Sequence, residues 1–293
     1  MKLKKKTSPY MVITAILLIL LSLFFLFPLY WIVTGSLKEK GDILIKAGEA
    51  VKWFPTTVTW DNFARLFKTS TELFSIQIPL AIRWLFNSVF ISVVAMILTC
   101  VTSSLAGYVL AKKRFWGKEI IFGLFVCAMV LPKQVILIPL LTEMSKLGLI
   151  KTSFGSLWAV ILPVVGWPFG VFLMKQFSET IPTSLLEAAR IDGAGEMHTF
   201  VKVVFPIIKP GFGALAIFTF INSWNEYPLQ LVMLQTNEAK TIALGIASLQ
   251  SELSNDFGLI MAGAALAAVP IIIVFLCFQK YFTQGITMGA VKG

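Results

Sequence analysis

The chain has 293 residues, 57% of them hydrophobic and only 14% charged, with a formal net charge of +10. Its mean hydropathy is +0.83; a soluble domain carries about 25% charged residues, so an ordinary water-soluble globule is excluded. No basic run is interleaved with stacking aromatics, so the positive balance reads as cationic loops flanking membrane spans rather than as a nucleic-acid surface.

Residues 1–11, with Lys2, Lys4, Lys5 and Lys6, are expected to be a cytoplasmic N-terminus. The apolar run of residues 12–33 follows. It exceeds the roughly 7–15 apolar residues of a cleaved signal peptide and ends in Tyr30-Trp31, as an interfacial belt does. It is predicted to stay in place as the first transmembrane helix. Residues 34–84 form a long outer loop with one short amphipathic helix. Asp61 is its expected cap, with Trp60, Phe63, Leu66 and Phe67 on one side, and the expected setting is the bilayer surface.

Residues 85–282 hold a core of five further helices. Five further runs lie near Leu85–Leu110, Ile120–Leu141, Phe154–Leu173, Gly211–Met233 and Leu259–Phe282. Each meets the requirement of about 20 residues for a hydrocarbon layer about 30 Å thick. In lipid only helices and closed barrels satisfy the backbone, and continuous apolar runs exclude the barrel. The expected fold is all-α, polytopic, with six transmembrane helices and a tail at 283–293.

Lysine and arginine set the orientation. Lys112, Lys113 and Arg114 follow the second span directly, and Lys175, Arg190, Lys202 and Lys209 sit in the polar stretch 176–209 and its border. The long outer loop is also rich in cations, but the 112–114 cluster places both termini on the cytoplasmic side. The three cysteines, Cys100, Cys127 and Cys277, all fall in apolar runs and imply no disulfide framework.

No G-x-x-x-x-G-K-[ST] run is present; Gly148-Leu149-Ile150-Lys151-Thr152 lacks the preceding glycine and the Gly-Lys pair. His198 is the sole histidine, so no histidine metal cluster or Ser–His–Asp set can be built, and it reads as a solvated or interface residue. A chain of this kind must draw its energy from another subunit.

The polar segment 187–206 carries the most information. Pro182 suits a first helical turn, and Ser184-x-x-Glu187 has the spacing of a capping box. Leu185, Ala188, Ala189 and Asp192 are three and four residues apart and share a helical face. Gly193 and Gly195 end that helix, and a second, about 196–204, leads to Pro206 and Pro210. Two short helices joined by a glycine turn make a rigid knuckle. The order Glu187-Ala188-Ala189, three residues, Gly193, nine residues, Val203-x-Phe205-Pro206 resembles the signature of the integral-membrane permease subunits of bacterial ABC importers, with Val203 and Phe205 standing for Ile and Leu.

In that family the knuckle is the coupling helix, so the resemblance gives Glu187, Ala188, Ala189, Asp192, Gly193 and Pro206 the role of contacting the ATPase. Phe220-Ile221-Asn222-Ser223-Trp224-Asn225-Glu226-Tyr227 is similar to the F-x-x-x-W-N-E-[FY] run of carbohydrate importer permeases, and residues 284–293 to the tail of the maltose-type second permease. The resemblance covers all six spans and implies a type I ABC importer permease fold. It further implies a homologous permease as heterodimer partner, two cytoplasmic ATPase subunits that bind ATP and Mg, and an extracytoplasmic solute-binding protein. Lipid is expected around the spans, and no nucleic acid. No cofactor is expected in this chain, no enzymatic activity of its own, and a bacterial inner-membrane location. The implied cargo is an oligosaccharide, maltodextrin-like or an acidic uronate type; glycerol-phosphate or a polyamine are alternatives within transport, and a membrane-embedded enzyme or assembly factor outside it.

A saccharide path gives the polar residues inside the spans a use. Trp224 could stack on a pyranose ring while Asn222, Asn225, Glu226 and Tyr227 face its hydroxyls; interhelical hydrogen bonding is the alternative. Asn87 and Gln134 carry the same two readings. Lys133 follows Pro132, which loosens the helix. It either pairs with Glu226, or snorkels to the interface, or lines the path of an acidic sugar.

Overall fold

The computed structural model describes residues 9–43, 49–73, 75–252 and 256–290. Lys2, Lys4, Lys5, Lys6, Lys46 and Lys292 lie outside these. The elements in order are α1 (Pro9–Ser36), α2 (Lys40–Ile43), α3 (Asp61–Leu66), the hairpin β1 (Ser70–Leu73) and β2 (Ile76–Pro79), and α4 (Leu80–Lys112). Next come α5 (Lys118–Val130), α6 (Leu137–Lys146), α7 (Ser153–Val165), α8 (Pro168–Glu179), α9 (Thr183–Ile191) and α10 (Glu196–Thr199). The last are α11 (Phe205–Asn225), α12 (Tyr227–Met233), α13 (Ile242–Glu252) and α14 (Phe257–Ala290). The fold is helical, as expected, apart from the small hairpin in the outer loop.

Among the described residues four helical stretches are long and apolar enough to cross a bilayer: Pro9–Ser36, Leu80–Lys112, Glu196–Asn225 and Phe257–Gln279. Two bent pairs, α5 with the 133–146 segment (96°) and α7 with α8 (43°), bring the number to as many as six where each pair counts as one span. The third and fourth predicted spans are therefore broken rather than straight. Each break falls before a proline, where the preceding residue is pushed out of the α region and the ring supplies no N–H. Leu131 before Pro132 is extended (φ −69°, ψ 126°), and so is Trp167 before Pro168 (φ −56°, ψ 113°). A third break ends α11 at Glu226, where Pro228 has no N–H to offer the carbonyl of Trp224.

The fifth span differs from its expected bounds. Helix was expected to stop near Val204, before Pro206. Instead α10 continues through a π turn at Phe200–Val204 into α11 and past both Pro206 and Pro210. A widened turn is one way a helix accommodates a residue that cannot close the normal ladder. The expected tail at 283–293 is, as far as Ala290, a continuation of α14.

The chain forms two compact units, Met1–Ser70 with Ile246–Ala268, and Thr71–Gly245 with Val269–Gly293. In the first, α1 exposes its side chains from Pro9 to Pro28, as a helix apolar all round does in lipid. Its C-terminal end is tied by a polar knot. Buried Asn62 donates Nδ2 to the carbonyls of Ser36 (2.9 Å) and Lys38 (2.8 Å), and its Oδ1 accepts from Arg65 (2.6 Å). Arg65 also pairs with Asp256, whose Oδ1 accepts from the Leu259 amide at 3.2 Å and so starts α14. This corrects the expectation for α3. Asp61 is not its cap but pairs with Arg65 at 3.0 Å, and the buried face is Asn62 and Leu66 rather than the aromatics.

In the second unit α4 is the central element, packing on α7, α8 and α11. At about 1.5 Å per residue its 33 residues reach about 50 Å, well past the hydrocarbon layer. Without water inside the bilayer, helices are held by close packing and small residues. Gly107 supplies such a contact: a Cβ there would sit 2.6 Å from the Lys175 amide nitrogen on α8. Around it lie buried Cys100, Met174, Val204, Ile208 and Leu215, while Ile91, Ala95, Val160 and Met233 form a second cluster.

Candidate functional site

The three proline breaks meet around two adjoining cavities of about 350 and 440 Å³. Lys133, Leu137, Asn222 and Glu226 line both; Gln134 and Asn225 line the first, Pro132, Trp167 and Pro168 the second. Breaking a helix inside a membrane frees backbone groups, which is tolerated where they border a cavity. Lys133 begins the short 3₁₀ turn after Pro132. Its Nζ lies 3.9 Å from Glu226 Oε2 and 5.8 Å from the centre of the Trp167 ring. Glu226 is the N-cap of α12, its carboxylate accepting from the Leu229 amide at 3.5 Å.

Lys133, Gln134, Asn222, Asn225 and Glu226 are thus brought together, as a path would require. Pairing of Lys133 with Glu226 and a place on the cavity wall, separate readings in the sequence, coexist in the structure. At 3.9 Å, with the Lys133 side chain 59% exposed, the pair resembles the exposed ion pairs that contribute about 0–1 kcal/mol.

Three expected path residues lie elsewhere. Trp224 is 4% exposed and stacks on Phe220, ring centres 5.6 Å apart at 21°. Two residues on from Asn222 along a 3.6-residue repeat is the opposite side of α11, so Trp224 packs inward while Asn222 and Asn225 face the cavity. Asn87 is buried and donates to the carbonyls of Glu238 (2.8 Å) and Lys240 (2.9 Å), holding the segment before α13. Tyr227 opens α12 and does not line either cavity. Trp167 was missed; its signal was Gly-Trp-Pro in the middle of an apolar run.

The knuckle forms with one change at its start. The N-cap is Pro182, α9 begins at Thr183, and Ser184 and Glu187 form no capping box because Ser184 already lies inside the helix. Its end follows the expectation. Gly193 has φ +77°, its amide donates to the Arg190 carbonyl (3.1 Å) and that of Ala194 to the Ala189 carbonyl (2.9 Å), the two bonds of a Schellman turn. Ala189 is buried, whereas Leu185, Glu187, Ala188 and Asp192 are exposed and Pro206 lies exposed in the following helix. Ile191 (86% exposed) and Met197 (64%) flank the turn. Neither residue was singled out by the sequence pattern.

The knuckle is braced by the end of α4. Lys113 pairs with Glu196 and lies over the Tyr108 ring, while Lys112 Nζ donates to the carbonyls of Glu179 and Ile181. Among the described residues no group of three or more His, Cys, Asp or Glu side chains could hold a metal.

Residues 103–288 match the family model described as the binding-protein-dependent transport system inner membrane component. The chain belongs to this family. It is an ABC importer permease, a transport subunit of the inner membrane. The permease is 36% identical over 286 residues to the arabinooligosaccharides transport system permease protein AraQ of Bacillus subtilis, covering 98% of this chain and 97% of that protein. It is 33% identical to the lactose transport system permease protein LacG of Rhizobium radiobacter, covering 91% of each. Its fold is that of a chain in the crystal structure of a bacterial ABC transporter involved in the import of the acidic polysaccharide alginate, with a TM-score of 0.73 at 22% identity, covering 93% of this chain and 96% of the other.

Proposed function

We propose that this permease is one half of the membrane channel of an ATP-driven importer of oligosaccharides. The observation that carries the reading is the cavity where three broken helices present Lys133, Gln134, Asn222, Asn225 and Glu226. The relatives named for arabinooligosaccharide, lactose and melibiose/raffinose/stachyose uptake support a saccharide cargo. In this reading a homologous permease completes the channel, a solute-binding protein delivers the cargo, and two ATPase subunits hold ATP and Mg. Both termini face the cytoplasm. Glu187, Ala188, Asp192, Ile191 and Met197 meet the ATPase; Gly193 keeps their turn rigid. Closure of the ATPases moves the knuckle and, through Lys112 and Lys113, the end of α4. The same α4 lines the packing behind the cavity, so alternating access follows from one rigid lever.

The test is reconstitution. The four-component complex in proteoliposomes should take up a neutral trisaccharide only with ATP and the binding protein. This chain purified alone should neither hydrolyse nor bind labelled ATP, since it has no phosphate-cradling loop. Specific nucleotide binding by the isolated chain, or uptake that does not need ATP, overturns the reading.

A further inference from the structure

Resting on that transport reading, we infer that the cavity beside Lys133 is built to take a neutral, polyhydroxylated saccharide and to refuse an acidic one. The argument starts from two asparagines on α11. Asn222 donates Nδ2 to the Phe218 carbonyl (2.8 Å) and Asn225 donates Nδ2 to the Ile221 carbonyl (2.9 Å). A backbone carbonyl can only accept, so the nitrogen end of each amide is fixed against its own helix. The oxygen ends are left for the cavity that both residues line.

Glu226 adds a carboxylate whose one amide partner is 3.5 Å away. The wall therefore presents the acceptors of Asn222, Asn225 and Glu226 beside two donors, Lys133 and the Gln134 amide. Lys133 is the one cation among the lining residues, and Glu226 at 3.9 Å balances it. A sugar hydroxyl donates as well as accepts, so it can satisfy the asparagine oxygens and Glu226 and still receive a bond from Lys133. Trp167 in the adjoining cavity offers a flat apolar face to the ring. A uronate carboxylate brings acceptors only. It meets the asparagine oxygens and the Glu226 carboxylate with the wrong sign, and the Lys133 that could receive it is already balanced by Glu226.

The experiment uses the complete transporter in proteoliposomes with its own binding protein. The probes are arabinotriose and maltotriose as neutral sugars, and trigalacturonate and a mannuronate trisaccharide as acidic ones. Wild type should take up a neutral probe more than about tenfold faster than either acidic one. Asn225→Leu, which removes an acceptor, should lower neutral uptake about tenfold, the worth of one hydrogen bond near the upper end of the usual range. Asn225→Asp keeps an oxygen there and should lower it less. Glu226→Gln frees Lys133 and should raise the acidic-to-neutral ratio about tenfold. Because the binding protein is unchanged throughout, a shifted ratio belongs to this chain.

Acidic uptake by wild type equal to neutral uptake overturns the inference. So does unchanged neutral uptake in Asn225→Leu when the complex is intact by size exclusion and its ATP hydrolysis still responds to the binding protein. Uptake of none of the four probes, with hydrolysis unresponsive to the binding protein, overturns the transport reading itself and the inference with it.

Discussion

Lys112 Nζ donates to the carbonyl oxygen of Ile181 at 2.6 Å, joining the last turn of α4 to the residue that leads into α9. The same ammonium reaches the Glu179 carbonyl at 3.0 Å. Carbonyls at a helix C-terminus have no intrahelical donor, and a cation is the favoured partner there. Lys112 is therefore a brace for the knuckle.

Lys112→Met should loosen that brace. Losing charged hydrogen bonds of this kind costs about 1.5–3 kcal/mol, here confined to the knuckle. Amide exchange across residues 182–199 should quicken, and less ATPase subunit should co-purify. Unchanged exchange in the variant would show the contact to be inert.

Gly193→Val and Gly193→Asn should separate. No atom crowds the position, so the only obstacle to a side chain is φ +77°. That region costs an ordinary residue about 1–2 kcal/mol, more when β-branched, and less for Asn. Valine should uncouple ATP hydrolysis from uptake, and asparagine should retain most coupling. Equal behaviour of the two variants in the reconstituted assay would remove backbone conformation as the cause.

Trp224→Ala should act on stability rather than on selectivity. The ring is buried against Phe220, and emptying such a site costs about 3–5 kcal/mol. The Tm of the solubilised complex should fall, and Trp224→Phe should keep much of it. An unchanged Tm together with lost uptake would put the indole back in the path.

The outer loop should loosen in acid. Hydrogen bonds from Lys52 and from the Thr56 amide lower the Asp42 carboxyl to about 2, and Arg65 lowers Asp256. A carboxylate depressed in the folded state contributes fully above its ordinary value near 4. The contribution is lost as pH falls through the folded value. Pepsin cleavage within residues 49–60 should therefore rise between about pH 4 and about pH 2. Asp42→Asn, which cannot titrate, should be cut readily at both ends of that range; resistance of this variant at pH 4 would show that Asp42 does not hold the loop.

Much of the architecture is legible in the order of residues. Uninterrupted apolar runs fix the spans because lipid admits no other backbone solution. Gly193 fixes the end of α9 because only that residue type accepts its φ without strain. Pro132 marks a loosened helix, and the spacing from Glu187 to Pro206 marks the family. None of these requires knowing what lies beside the residue.

Neighbours decided the rest. Ser184 and Glu187 have capping-box spacing, yet the cap falls two residues earlier, at Pro182, and leaves them within the helix. Asp61 reads as a cap, but Arg65 claims it because Asp256 and Asn62 draw that guanidinium into the knot. Trp224 and Asn225 are adjacent in the sequence and alike in promise, and the rotation of one helix buries the first against Phe220 while turning the second to the cavity. Periodicity gives the angle between two side chains on a helix but not which side meets another helix. That choice belongs to packing, which is why the sequence determined the apolar runs and the glycine turn, while the tertiary structure decided where the helices break and which side chains line the cavity.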